Sequence, residues 1–134
     1  MTRIVAGSAK GRTLAVPKSG TRPTSERVRE ALFSRLDHMN VLDGATVLDL
    51  YAGTGALGLE ALSRGGAHAT LVEKASAAAR VASANVRSTG LPARVVTADA
   101  RTYLGARNGE ALAGDIDLVF IDPPYDIAED DMTT

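Results

Sequence analysis

Two short stretches carry residue types that could do chemistry. The tetrapeptide Asp122-Pro123-Pro124-Tyr125 follows an apolar run, Asp117-Leu118-Val119-Phe120-Ile121. Adjacent prolines have locked φ angles and no N–H to donate, so this backbone is stiff and offers acceptors only. A carboxylate, a proline carbonyl and an aromatic face suit the exocyclic amine of a nucleobase. Its two N–H groups donate to Asp122 and to the Pro123 carbonyl, which frees the nitrogen lone pair for an electrophile, while Tyr125 stacks on the base. The bland alternative is a Pro-Pro strand terminator with an exposed Tyr.

The second stretch is Asp49-Leu50-Tyr51-Ala52-Gly53-Thr54-Gly55-Ala56-Leu57-Gly58. Glycines at 53, 55 and 58 give G-x-G-x-x-G, and Glu73 follows Gly53 by twenty residues. Glycine permits a tight turn and a close backbone approach to a ligand, and a carboxylate ending the next strand can accept from ribose hydroxyls. The pattern also describes an NAD site, or a tight turn without a ligand. Charge separates the two nucleotides. The pyrophosphate of NAD is repelled by Asp49 before the turn and by Asp122 ending a neighbouring strand. S-adenosylmethionine carries a sulfonium and an ammonium, which those acids suit. Asp99, followed by Ala100, is placed either to accept from an adenine amine or to cap the next helix. Tyr51 is counted with these cofactor residues, although packing is the commoner role of an aromatic.

These motifs must be positioned by alternating elements. Thr46–Leu50, Ala69–Glu73, Ala93–Thr97 and Asp117–Ile121 read as strands, with helices over Ala56–Arg64, Ala75–Ser88 and Ala100–Arg107. Strands separated by helices predict βαβ crossovers and a parallel sheet covered on both faces, an α/β Rossmann-like fold. Before them, Arg3–Ala6 and Thr13–Val16 read as a small hairpin and Pro17 to Pro23 as a loop. Thr24 or Ser25 caps a helix to about His38, with Val28, Ala31, Leu32 and Leu36 on its apolar face. The expected division is a basic extension over 1–38 and a core over 45–134. The strand before Asp122 is apolar on both faces and calls for neighbours on either side. Few residues follow Tyr125, so the chain reads as the C-terminally incomplete part of a longer protein.

Charge divides the same way. Residues 1–35 hold eight basic and two acidic side chains, net +6, and residues 36–134 hold seven basic and fourteen acidic, net −7. A basic arm on an acidic body suits a polyanion at one end and different chemistry at the other. The 134 residues suffice for one ordinary domain. Cys is absent and only His38 and His68 supply imidazoles, so disulfides, thiolate chemistry and a multi-histidine metal site are excluded and no metal is expected. No apolar run approaches the roughly 20 residues of a membrane span, and Met1-Thr2-Arg3 opens into polar chain, so a cytoplasmic location is expected. His68, His38, and Glu129-Asp130-Asp131 read as surface groups.

Together, Asp49–Gly58 and Asp122–Tyr125 resemble the amino-methyltransferases that use S-adenosylmethionine, whose strand-4 signature is [D/N]-P-P-[Y/F]. Arg3-Ile4-Val5-Ala6-Gly7, Gly11-Arg12, Thr21–Phe33 and Gly58–Gly65 narrow the resemblance to the bacterial small-subunit (16S) rRNA guanine-N2 methyltransferase family, RsmD. The resemblance implies a class I methyltransferase fold and methyl transfer from S-adenosylmethionine, leaving S-adenosylhomocysteine. Glu73 is then expected at the ribose, Gly53 and Gly55 along the methionine tail and Asp99 near the adenine. The guanine is expected at Asp122, Pro123, Pro124 and Tyr125. The arm, with Arg3, Lys10, Arg12, Arg22, Arg27 and Arg29, is expected to hold phosphates of rRNA in a partly assembled small subunit, the protein acting as a monomer. Two alternatives stay open: a DNA adenine-N6 methyltransferase, and a cofactor- or RNA-binding module without turnover.

Overall fold

A computed structural model describes residues 2–16, 26–107 and 116–123. In chain order the elements are β1 (Thr2–Arg3), β2 (Thr13–Leu14), α1 (Glu26–His38), β3 (Thr46–Asp49), α2 (Ala56–Ser63), β4 (His68–Glu73), α3 (Ser76–Thr89), β5 (Ala93–Thr97), α4 (Ala100–Arg107) and β6 (Leu118–Phe120). Thr24, Ser25 and the loop expected over Pro17 to Pro23 lie outside the described residues.

Strands β3 to β6 form one parallel sheet in the order β5-β4-β3-β6. The chain winds outward from β3 to β5, and β6 then lies on the other side of β3. That reversal opens a crevice at the carboxyl ends of β3 and β6, the place where open α/β sheets bind ligands. Alternation along each strand sends side chains to two cores. Val47, Ala69 and Leu71 join Leu57, Leu59, Ala61 and Leu62 of α2 on one face, and Leu48 and Val72 meet Ala100 and Leu104 on the other. The α2 sequence ALGLEALS is buried from Leu57 to Ser63, which explains its nearly unbroken apolar character.

The N-terminal arm shares the first of these cores. Ile4, Leu14 and Phe33 are each at most 2% exposed and pack in the same cluster as Val47 and Leu59. The basic stretch is therefore joined to the sheet layer by apolar contact.

Two expectations need correction. The hairpin strands are two residues long instead of four. Helix α1 buries Arg29 and Phe33, with Leu32 and Leu36 half-buried, whereas Val28 is 55% exposed and Ala31 is exposed. The helix is rotated so that Arg29 meets a buried carboxylate while Phe33 enters the core. The strand β6 pairs with β3 on one edge only among the described residues, and Val119 and Ile121 are 40% and 66% exposed.

Candidate active site

The glycine turn is held from three sides. Ala52 N–H donates to the Val72 carbonyl (3.0 Å), Gly53 N–H to Glu73 Oε1 (2.8 Å) and Gly55 N–H to the Ala52 carbonyl (2.7 Å). Gly53 and Gly55 take φ of 55° and 88°, the left-handed region that a side chain disfavours. A Cβ on Gly53 would meet nothing within 4 Å, so the turn faces open space there. Gly58 answers a different need, since a Cβ would fall 2.3 Å from the Leu71 side chain. The third glycine lets α2 lie close on the sheet.

Glu73 ends β4, half-buried, and both its oxygens accept from backbone: Oε1 from Gly53 and Oε2 from Ala75 N–H (2.8 Å). It braces the turn and retains acceptor capacity, because a carboxylate has about four lone-pair sites. Asp99 Oδ1 accepts from the N–H groups of Arg101 (2.9 Å) and Thr102 (3.2 Å), so it caps α4. Ala100 is buried and Tyr51 packs half-buried against Leu48, Leu50, Val72 and Ala100.

Asp49 lies beneath the turn, 1% exposed, a burial that its residue type does not announce. Its Oδ2 accepts Gly58 N–H (3.2 Å), and its Oδ1 has no hydrogen-bond partner among the described residues. Burial pushes its carboxyl up to about 7, opposed by the Gly58 amide and reinforced by the nearby Asp122 carboxylate.

On the other side of the crevice, Leu50 N–H donates to the Phe120 carbonyl (3.1 Å), and Asp49 pairs in register with Phe120. Asp122, exposed, and Pro123, half-buried, follow directly. Pro124 and Tyr125 lie outside the described residues. A cleft of about 250 Å³ lined by Val28, Leu32, Leu57, Phe120, Ile121 and Asp122 runs between α1 and this corner. Its walls are apolar and its end carries a carboxylate. That arrangement can take a flat ring with a polar edge.

The arm residues divide. Arg3, Lys10, Arg12 and Arg27 are exposed; Arg3 pairs with Glu26 (3.3 Å) and Arg12 Nη1 donates to the Ser88 carbonyl (3.1 Å). Arg22 lies outside the described residues. Arg29 does not reach the surface, which corrects its placement among phosphate-binding groups. It is 1% exposed, with Nη1 on Glu60 Oε1 (3.2 Å) and Nη2 on the Arg3 carbonyl (2.9 Å). An unpaired charge cannot be buried cheaply, and Glu60 supplies the partner.

Glu60 was missed as a hub. Fully buried, it also accepts Val5 N–H (2.9 Å), Ala6 N–H (3.1 Å) and Arg64 Nε (2.9 Å). A lone acid within the apolar run of α2 was the available signal. Asn85, 2% exposed on α3, was missed as well and carries no such local mark. Among the described residues no group of three or more His, Asp or Glu could hold a metal, and no helix is long and apolar enough to cross a membrane.

The chain is similar to known proteins over most of its length. A family model described as conserved hypothetical protein 95 matches residues 2–133. Ribosomal RNA small subunit methyltransferase D of Escherichia coli K12 is 43% identical over 125 residues, which cover 92% of this chain and 60% of that protein. The chain thus spans about three fifths of that curated relative's length. A hypothetical protein of Thermus thermophilus superposes with a TM-score of 0.81 at 40% identity, covering 96% of this chain and 74% of that one. A SAM-dependent methyltransferase from Agrobacterium tumefaciens gives a TM-score of 0.56 at 24% identity over 71% of this chain and 31% of that one, a likeness of fold.

Proposed function

The chain belongs to the RsmD family, described as conserved hypothetical protein 95, and from that premise we propose that it serves methyl transfer from S-adenosylmethionine to the N2 amine of a guanine in small-subunit (16S) rRNA. The observation that carries this reading is the meeting of the glycine turn and the Asp122-Pro123 corner at one crevice, on adjacent strands.

The residues fit the cofactor. Gly53 leaves open space above the turn for a ligand backbone, and Glu73 keeps acceptor sites for ribose hydroxyls. Asp49, buried beneath the turn, places negative potential there in its ionised form, which a bound ammonium or sulfonium favours and a pyrophosphate opposes. Asp99 and Ala100 border the adenine end. When bound, S-adenosylmethionine supplies an electrophilic methyl group on sulfur. Asp122 and the Pro123 carbonyl accept the two N–H groups of the guanine amine, turn its lone pair outward, and Asp122 or water takes the proton it sheds. Val28, Leu32, Leu57 and Ile121 offer the apolar surface of the cleft against which the ring lies. Holding both groups in one geometry supplies much of the rate.

The target amine lies in folded RNA, so the base must be presented unstacked. Arg3, Lys10, Arg12, Arg22 and Arg27 are the phosphate contacts in this reading, with a partly assembled small subunit in the cytoplasm as partner. Incubation with labelled S-adenosylmethionine and either small ribosomal particles or duplex DNA tests it. Label in 16S rRNA as N2-methylguanine is expected. Labelled DNA beside unlabelled rRNA points to the adenine-N6 alternative, and cofactor binding without transfer to either points to a module without turnover.

A further inference from the structure

The side chain of Asn85 touches both the arm and the donor turn. Its Oδ1 accepts Ala15 N–H (2.7 Å), and its Nδ2 donates to the Ala15 carbonyl (3.1 Å) and to the Thr54 carbonyl (2.9 Å). The amide's orientation follows from its partners, since two carbonyls face the nitrogen and one N–H faces the oxygen. Asn85 is 2% exposed, so a lost bond there leaves a buried polar group without water to replace it.

The two ends of this bridge are functionally placed. Thr54 stands between the left-handed Gly53 and Gly55, so the held carbonyl fixes the Thr54–Gly55 peptide plane within the turn. Ala15 follows β2 and lies on the arm that carries Lys10 and Arg12. Glu60 and Ser63 of α2 hold the first half of the arm at Val5, Ala6, Ser8 and Ala9, and Asn85 adds the directional contact at Ala15, beyond β2, that also reaches the donor turn. Two hydrogen bonds to both polar groups of one residue set register as a paired strand does.

We infer that Asn85 is a positioning residue that registers the N-terminal arm to the donor-binding turn, so that RNA gripped by the arm presents its amine in line with the methyl donor. This rests on the methyl-transfer reading above. It adds that the part of the arm beyond β2 is aligned with the donor turn through a buried amide.

Two variants test it. Ala15→Pro removes the N–H that Oδ1 accepts and leaves the Thr54 bond in place. Asn85→Ala removes all three bonds. For each, kcat per folded molecule, the KM for S-adenosylmethionine and the thermal midpoint are measured with small ribosomal particles as acceptor. Ala15→Pro is expected to lower kcat about tenfold, in line with the cost of sub-ångström misplacement, with the donor KM within twofold of wild type. Asn85→Ala is expected to lower kcat at least as much and to raise the donor KM several-fold. Wild-type kcat in folded Ala15→Pro overturns the inference, because a merely structural bond lowers the midpoint and leaves turnover per folded molecule intact. So does a loss confined to the donor KM. A wild-type protein that transfers no methyl to rRNA refutes the underlying reading instead, and that outcome is seen before either variant is compared.

Discussion

The rings of Phe33 and Phe120 lie 5.6 Å apart, centroid to centroid, inclined by 56°. Phe33 belongs to α1 of the basic arm, and Phe120 ends the strand that leads into Asp122. An edge-tilted aromatic pair of this kind adds to the area it buries. It ties the element expected to grip RNA to the element expected to receive the base.

Phe33→Ala is therefore expected to lower stability by about 3–5 kcal/mol, the usual cost of emptying a buried phenylalanine site. Chemical denaturation of the variant measures this. A loss below about 1 kcal/mol means that α1 packs on the sheet without Phe33.

Glu60→Ala strands the Arg29 guanidinium, whose pKa burial already depresses despite the attraction of Glu60. Removing one partner of a buried pair costs about 3–5 kcal/mol, whereas replacing both by apolar groups costs far less. The pair Arg29→Met with Glu60→Leu is expected to be more stable than Glu60→Leu alone. A double-mutant cycle by thermal denaturation decides, and simple additivity of the single losses contradicts the coupling.

Arg27 and Arg29 are expected to respond differently to charge reversal although two residues apart. Arg27→Glu keeps the fold and flattens the salt dependence of RNA binding, by roughly one slope unit for each phosphate it no longer neutralises. Arg29→Glu places a second carboxylate against Glu60 and prevents folding. Circular dichroism and RNA titrations across salt concentration distinguish them; a folded Arg29→Glu with weakened RNA binding returns Arg29 to the RNA surface.

Asp49 predicts a pH dependence of stability. Its carboxyl is raised to about 7 in the fold against 3.8 in an ordinary setting, so the folded state binds the proton more tightly. The stability it contributes is complete below about pH 4, declines as pH rises, and is lost above about 7, a change on the order of 4 kcal/mol. Asp49→Asn keeps the shape and removes the titration. Its melting temperature, relative to wild type, is expected to climb between about pH 4 and 7 while cofactor affinity falls. A constant difference across that range contradicts a buried, protonatable Asp49.

Asp122→Ala leaves the glycine turn untouched. Methyl transfer is expected to fall by roughly two to three orders of magnitude with S-adenosylhomocysteine affinity within twofold, as loss of a preorganised acceptor implies. Single-turnover kinetics with calorimetry checks both, and normal turnover removes Asp122 from the chemistry.

Much of the frame was legible from residue order. The strands over 46–49, 68–73 and 93–97 and the helices between them follow from apolar runs and glycine turns, which are local properties. So do the turn at Gly53 and the site's place after two adjacent strands. What stayed hidden depends on partners far along the chain. Which face of α1 turns inward is decided by Glu60, 31 residues from Arg29, so the apolar spacing of Val28 and Ala31 misled. Asn85 resembles any polar residue of an amphipathic helix until Ala15 and Thr54 arrive beside it. Asp49 reads as a strand-end acid beside the cofactor, and its complete burial is decided only when α2 closes over it. A sequence states each residue's polarity and its neighbours in the chain. Burial, and the hydrogen bonds that make burial of a polar group tolerable, exist only after distant segments meet.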